Sequence, residues 1–339
     1  MPPDPRTSVF LPRLVLGTAF ATAILLPSLH SPFLSTLYHF LSQSAFYRFS
    51  GFETLETILF YLLIEVMYTV KFVHNPHLRI DVRGPQSAEF DARNPPKRPR
   101  MRRPSRRMGE IATYAAPLLT LDFTLIKKYA GVPVAAIRQT GGYCPLVTDG
   151  NISSSFLRPT LHNFSISSPL QLWRAIPVNP PSSRRLVFEL VASFFLYDAL
   201  FFFIHIAFHR IPGLASIHRP HHTHGEMHPQ VTNQLSVAER LALILLANFA
   251  LNVIGAHVLT RTAFVPLFVY LLVDVHSGMD LEWSYDKVLP RGWGAGARKH
   301  AQHHRGREVG FQPFFCWWDE GLEVFKGLWV SEHSVAGTS

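Results

Sequence analysis

Residues 186–208 read LVFELVASFFLYDALFFFIHIAF. The run is longer than the ~20 apolar residues that a helix needs to cross a bilayer. Its end carries His205 and His209, spaced i, i+4, so both rings lie on one helix face a turn apart. A polar pair inside a span is costly without partners. Asp198 lies two turns before His205 on the same face. It is either a carboxylate that accepts an imidazole N–H and fixes that ring's tautomer, or a buried acid bonded to a neighbouring helix.

Twelve of the eighteen histidines fall within residues 205–304. After His205 and His209 come His218, His221 and His222, spaced H-x-x-H-H, and the spacing returns at His300, His303 and His304. Neutral imidazole suits iron, zinc, copper and nickel and is a poor ligand for magnesium or calcium. One ion cannot use eight or nine imidazoles, so the density predicts more than one. On a helix, an H-x-x-H-H group either grips one ion or straddles two. His276, just before Ser277-Gly278, is a further expected ligand. His224 and His228 read as surface or supporting residues, and His257 as structural. His30, His39, His74, His77, His162 and His333 are scattered and carry no such reading.

Further apolar runs flank this segment. Phe10–Leu26 is one, with no small-residue cleavage site after it that would mark a signal peptide. Leu55–Val73 and, more weakly, Ile111–Ala130 follow. Leu241–Leu259 and Ala263–Val275 read as a hairpin whose second arm is short. The basic residues Lys97, Arg98, Arg100, Arg102, Arg103, Arg106 and Arg107 place their loop, and the N-terminus, in the cytoplasm by the positive-inside rule. If Ile111–Ala130 spans, residues 131–184 are lumenal, and Asn151-Ile-Ser153 and Asn163-Phe-Ser165 become reachable glycosylation acceptors. All three histidine clusters then share the cytoplasmic face.

Charged residues are only 16% of the 339, hydrophobic ones 47%, and the net charge is +9. With apolar segments on both sides, the basic stretch reads as a solvated loop, and no nucleic-acid partner is expected. Two cysteines, Cys144 and Cys316, exclude a disulfide framework or a sulfur-rich metal site. No nucleotide fingerprint or Ser-His-Asp set is present, so any reductant must come from a partner. The fold class is an all-α integral membrane bundle with a cytoplasmic histidine-rich metal-binding cap. Its expected parts are anchor helices over 1–75, a basic Pro/Arg-rich linker over 76–110, a third membrane segment and loop over 111–184, and a catalytic domain over 185–330.

H-x-x-x-H followed by two H-x-x-H-H groups resembles the membrane fatty acid hydroxylase and sterol desaturase superfamily, over roughly residues 185–330. Asp198, Glu239, His276-Ser-Gly278 and Trp317-Trp318-Asp319 look like that family too. The stretches Thr232–Glu239 and His276–His304, with Leu289-Pro-Arg-Gly-Trp293, are most similar to its cholesterol 25-hydroxylase-like branch. Departures are Ala301 where the third cluster often has Asp, and Gly321-Leu322 where Gly-Thr is usual. The His-Pro pair that the sterol desaturase branch carries before its acidic residue is also missing.

The resemblance implies two iron ions per chain, held by His205, His209, His218, His221, His222, His276, His300, His303 and His304, with Asp198 supporting them. It implies O2-dependent hydroxylation of a lipid or sterol, electrons from cytochrome b5 or an NADPH-dependent reductase, and an endoplasmic reticulum membrane. The metal-oxygen species carries the hard step, and the protein supplies position and tuning. Phe201–Phe203 and Tyr270–Leu272 are the expected lining of an apolar substrate path. A desaturase with the same centre and a histidine-rich metal transporter are the competing readings. Transporters place ligands at mid-membrane within several helices, whereas most clusters here lie outside the spans.

Overall fold

A computed structural model describes residues 9–80, 101, 104–126, 129–140, 160–161, 170–223, 226–306 and 310–325. The basic positions 97–100 and 102–103, both glycosylation tripeptides, Cys144, His162, His224 and His333 lie outside them.

The helices are α1 (Phe10–Leu25), α2 (Pro27–Gln43), α3 (Ala45–Arg48), α4 (Phe52–His74), α5 (Pro104–Thr124), α6 (Val134–Arg138), α7 (Ser183–Arg210), α8 (Pro212–His218), α9 (Val237–Ile254), α10 (Val258–His276), α11 (Tyr285–Val288) and α12 (Gly296–His304). Short 3-10 turns cover Pro76–Leu78, Arg219–His222 and Pro229–Asn233. The strands among the described residues are one two-residue antiparallel pair, Leu125–Ile126 with Thr160–Leu161.

Among the described residues four helices, α4, α7, α9 and α10, are long and apolar enough to cross a membrane. Their outward side chains include Leu59, Leu63, Phe188, Phe195, Phe203, Leu245 and Phe249, all exposed. A surface of that kind is stable against lipid and not against water. The first apolar run differs from a simple span. Pro27, at the first turn of α2, cannot extend the α1 hydrogen-bond ladder, and the two axes meet at 94°. The expected third segment also differs: α5 stops at Thr124, the chain then turns into the strand pair, and α5 is not among the four apolar spans.

The hairpin is longer than its sequence suggests. Ser236 caps α9 by accepting from Glu239 N–H at 3.1 Å. Gly255, in the left-handed region at φ 67°, ends it. His257 then caps α10: its Nδ1 accepts from Leu259 N–H, and its Nε2–H donates to the Asn179 carbonyl. With Val258–Ala263 helical, α10 is a full-length span and the most buried of the four, 61% against 22–33%. It is the central helix, packed on α4 and α7. Aromatic rings of Phe194, Tyr197, Phe264, Phe268 and Phe314 fill the space between α7 and α10.

Both ends of the bundle are fastened. At the end away from the histidines, Glu53 pairs with Arg174 at 2.8 Å and Arg261 at 2.9 Å, and Tyr129 O–H also donates to it. Arg174 is fully buried against Tyr47 and Phe52. Burying such charges is tolerable only because each is paired and hydrogen-bonded. At the histidine end, Ile80 N–H donates to the Gly278 carbonyl and Asp280 N–H to the Leu78 carbonyl, both at 2.8 Å. The first residues after α4, expected as free linker, are thus bonded to the turn after α10.

Candidate metal centre

All nine predicted histidines converge at one end of the bundle. They form two groups, within each of which the ligand atoms lie no more than 4.8 Å apart. The first is His205, His209, His218, His222 and His303; the second is His221, His276, His300 and His304. The sequence left open whether an H-x-x-H-H cluster grips one ion or straddles two. Here each straddles. His218 and His222, spaced i, i+4, face the first group while His221 between them faces the second. In α12, His300 and His304 serve the second group and His303 crosses to the first. The groups touch, with His222 and His304 rings stacked 4.5 Å apart between centroids.

The local folding explains the delivery of each ring. α7 ends at Arg210, and Pro212 restarts the chain as α8, which brings His218 back over His205. Their Nε2 atoms are 3.1 Å apart. Gly278 adopts φ 65°, and a Cβ there would overlap the Met227 carbonyl. That glycine lets the chain after His276 pass tightly beneath the 227–231 turn. Ala301, the family departure in the third cluster, is 1% exposed and packs on Met227 and Val231. The position is an apolar contact, so no carboxylate is needed there.

Hydrogen bonds on the outer ring nitrogens set the tautomers. His205 Nδ1–H donates to the Phe311 carbonyl at 2.7 Å, His218 Nδ1–H to Glu239 at 2.5 Å, and His276 Nδ1–H to the Leu272 carbonyl at 2.7 Å. An imidazole that donates through Nδ1 presents a lone pair at Nε2. His205 and His218 therefore aim two lone pairs at each other across 3.1 Å. That contact is repulsive unless a cation sits beside both.

Neighbouring Nε2 atoms lie 2.8–3.1 Å apart in the first group and 2.9–3.2 Å in the second. With metal–nitrogen bonds near 2.1 Å, ligands at right angles sit about 3.0 Å apart and tetrahedral ones about 3.4 Å. The spacing fits right-angled coordination, and the five donors of the first group exceed a tetrahedron. Burial holds His221, His300 and His304 well below the usual imidazole range, and His222 at about 3. Neutral rings are the form that binds metal. The residues fit a pair of cations.

The acids differ from expectation. Asp198 touches no imidazole. It accepts from Phe314 N–H at 2.9 Å, Phe315 N–H at 3.2 Å and the Gln312 side-chain amide. Gln312 Oε1 accepts from Trp318 and Asp319 N–H, while Asp319 holds the Phe311 and Gln312 N–H groups. This clamp fixes the loop whose Phe311 carbonyl orients His205, so Asp198 acts one bond further out than expected. Glu239 is the carboxylate that meets a ring. Its signal was present as the acid opening the hairpin, but nothing in its spacing tied it to His218. Gln312 had no signal. His228 is buried and, like His257, lies outside both groups.

An apolar cavity of about 1140 Å³, counting its open mouth, runs from His205, His218, His221, His276 and His300 to Thr54 and Leu118. α4, α5, α7, α9 and α10 all contribute to its walls. Phe201 and Leu272 line it as expected; Phe202 is buried elsewhere and Phe203 faces outward.

A bundle of membrane-length helices with a doubled histidine site at one end defines the class: an integral membrane protein with two adjoining histidine groups, each able to hold a metal ion. Residues 190–323 match the fatty acid hydroxylase family. That match supports the likeness to the fatty acid hydroxylase and sterol desaturase superfamily that the histidine pattern shows. Among curated relatives, cholesterol 25-hydroxylase of Rattus norvegicus is 29% identical over 48% of this chain and 55% of its own. The Homo sapiens protein of that name is 30% identical over 44% and 56%. A methylsterol monooxygenase of Aspergillus fumigatus is 34% identical over 43% and 50%. The chain thus spans about half the length of each of these relatives. No solved structure is a significant match.

Proposed function

We propose that this protein is a membrane-bound oxygenase that hydroxylates an unactivated C–H bond of a lipid, with a sterol as the favoured class. The observation that carries this reading is the convergence of nine imidazoles, three of them locked with Nε2 lone pairs inward. The sterol-oxidising names of the relatives support the substrate class. Right-angled nitrogen spacing and five donors in one group favour iron over tetrahedral zinc. A pair of iron ions, when bound, would supply O2 activation.

The residues of the chain do the rest. Glu239, Phe311 and Leu272 keep the Nδ1 protons of three ligands in place, so those rings offer nitrogen lone pairs inward. The cavity admits an apolar molecule to the histidines. Overall, R–H, O2, two electrons and two protons give R–OH and water. The electrons come from an external donor, cytochrome b5 or an NADPH-dependent reductase. The histidine end faces the cytoplasm, because the basic residues near 97–107 follow in sequence the end of α4 that is bonded to the turn after α10; the endoplasmic reticulum membrane follows from the family resemblance alone.

The test is purification in detergent with metal analysis, then incubation with lipid extract, reductase, NADPH and 18O2. Two irons per chain and one labelled oxygen in a lipid product are expected, both lost in His221→Ala. Zinc alone, with no O2 consumed, defeats the reading. A labelled-oxygen-free alkene product would instead assign desaturation.

A further inference from the structure

The cavity is apolar over most of its wall but not beside the histidines. Thr232, Asn233, Glu239 and Arg240 all line it there. Arg240 directly follows Glu239, whose carboxylate is 2.5 Å from His218. Its guanidinium lies 4.0 Å over the Tyr114 ring, is hydrogen-bonded to the Tyr114 side chain, and makes a long hydrogen bond, 3.5 Å, to the Thr232 carbonyl. Tyr114 O–H in turn donates to the Leu235 carbonyl. The guanidinium is therefore fixed in place, yet its Nε–H has no hydrogen-bond partner. Asn233 is 2% exposed, and its Nδ2 also has none.

Two buried donors without acceptors, on residues that line the site, are costly unless a ligand satisfies them. A lipid that brought plain hydrocarbon to the histidines would leave both unsatisfied. A lipid with an oxygen at that end would not. The adjacent Glu239 carboxylate offsets the Arg240 charge, so a neutral oxygen is sufficient and no anion is required.

Building on the oxygenase reading, we infer that Arg240 and Asn233 bind an oxygen acceptor of the substrate, so that the carbon oxidised lies within a few bonds of an existing hydroxyl or carbonyl. The far end of the cavity, at Thr54 and Leu118, takes the hydrocarbon remainder. Regiochemistry thus follows from two donors that touch no histidine.

The experiment compares matched substrates in the iron-loaded full chain with reductase: cholesterol, its ketone cholest-4-en-3-one and the deoxy analogue cholest-5-ene, together with 1-octadecanol and octadecane. The oxygenated member of each turned-over set should exceed its deoxy partner roughly 10- to 100-fold in kcat/KM, with the new oxygen close to the old one. The ketone arm separates a carbonyl from a hydroxyl acceptor. Arg240→Met should bring the ratio to near one at unchanged iron content, with Arg240→Lys retaining part of it. Cholesterol binding to metal-free protein should weaken by the same factor. Asn233→Leu gives a second, independent loss if Arg240→Met does not fold.

A product oxidised at the hydrocarbon terminus overturns the inference and leaves the oxygenase reading standing. So does a ratio near one in the unmodified protein, or a ratio that Arg240→Met leaves unchanged. No oxygenated product from any lipid overturns both.

Discussion

Glu239→Gln isolates the part of the site that holds a tautomer. Both partners are buried, Glu239 2% and His218 4% exposed at the side chain, and they meet at 2.5 Å. Glutamine keeps the shape and an acceptor oxygen but removes the charge that makes His218 a stronger ligand. Hydrogen bonds to a charged acceptor are roughly twice as strong as neutral ones. Loss of such a supporting partner typically costs 10- to 100-fold in metal affinity, roughly 1.4–2.7 kcal/mol. His218 belongs to the first group only. The loss should fall there, with the second group binding as before. Chelator-competition titration with ferrous iron reads this directly: two strong sites in the unmodified protein, one strong and one weakened in the variant. Equal weakening of both sites, or of neither, refutes the assignment of Glu239 to one group.

Three further outcomes are expected. His221, His300 and His304 stay neutral in the folded protein because burial lowers their pKa, while unfolded rings gain protons below about 6.5. The unfolded state then binds more protons as pH falls, so metal-free protein should lose up to roughly 1.4 kcal/mol per ring for each pH unit below that value; a melting temperature flat from about pH 7.5 to 5.5 contradicts this. Gln312→Ala removes the link between Asp198 and the 311–319 loop and should cost about 2–4 kcal/mol, weakening metal in the first group before the second, as read by melting and the same titration. Gly278→Ala meets both a positive φ and the Met227 carbonyl, and a loss of about 2–4 kcal/mol should appear as a sharp fall in folded yield from detergent extracts.

The convergence of the histidines was legible because imidazoles at i, i+4 and H-x-x-H-H spacing have few other uses on an apolar background. Apolar length was legible for α4, α7 and α9 for the same reason: transfer into lipid acts on composition. It failed at α5, where a chain of mixed polarity turns into strand at Leu125. It also failed at the start of α10. There Arg261 interrupts the apolar run, and only its pairing with Glu53, far away in sequence, makes its burial possible. Asp198 was read against the nearest histidines on its own helix. Its hydrogen bonds go instead to a loop more than a hundred residues later, a contact that helical periodicity cannot encode.

The sequence by itself determined that nine imidazoles would gather at one end of a lipid-facing bundle, since spacing and hydropathy are local properties. Only the tertiary structure decided how they divide. His221 and His303 each leave the face of their own cluster for the opposite group, because the turn at Pro212 and the tight passage at Gly278 bring the Arg219–His222 turn against α12. Which nitrogen of each ring points inward was decided there too, by carbonyls and a carboxylate that reach the rings only after the helices have packed.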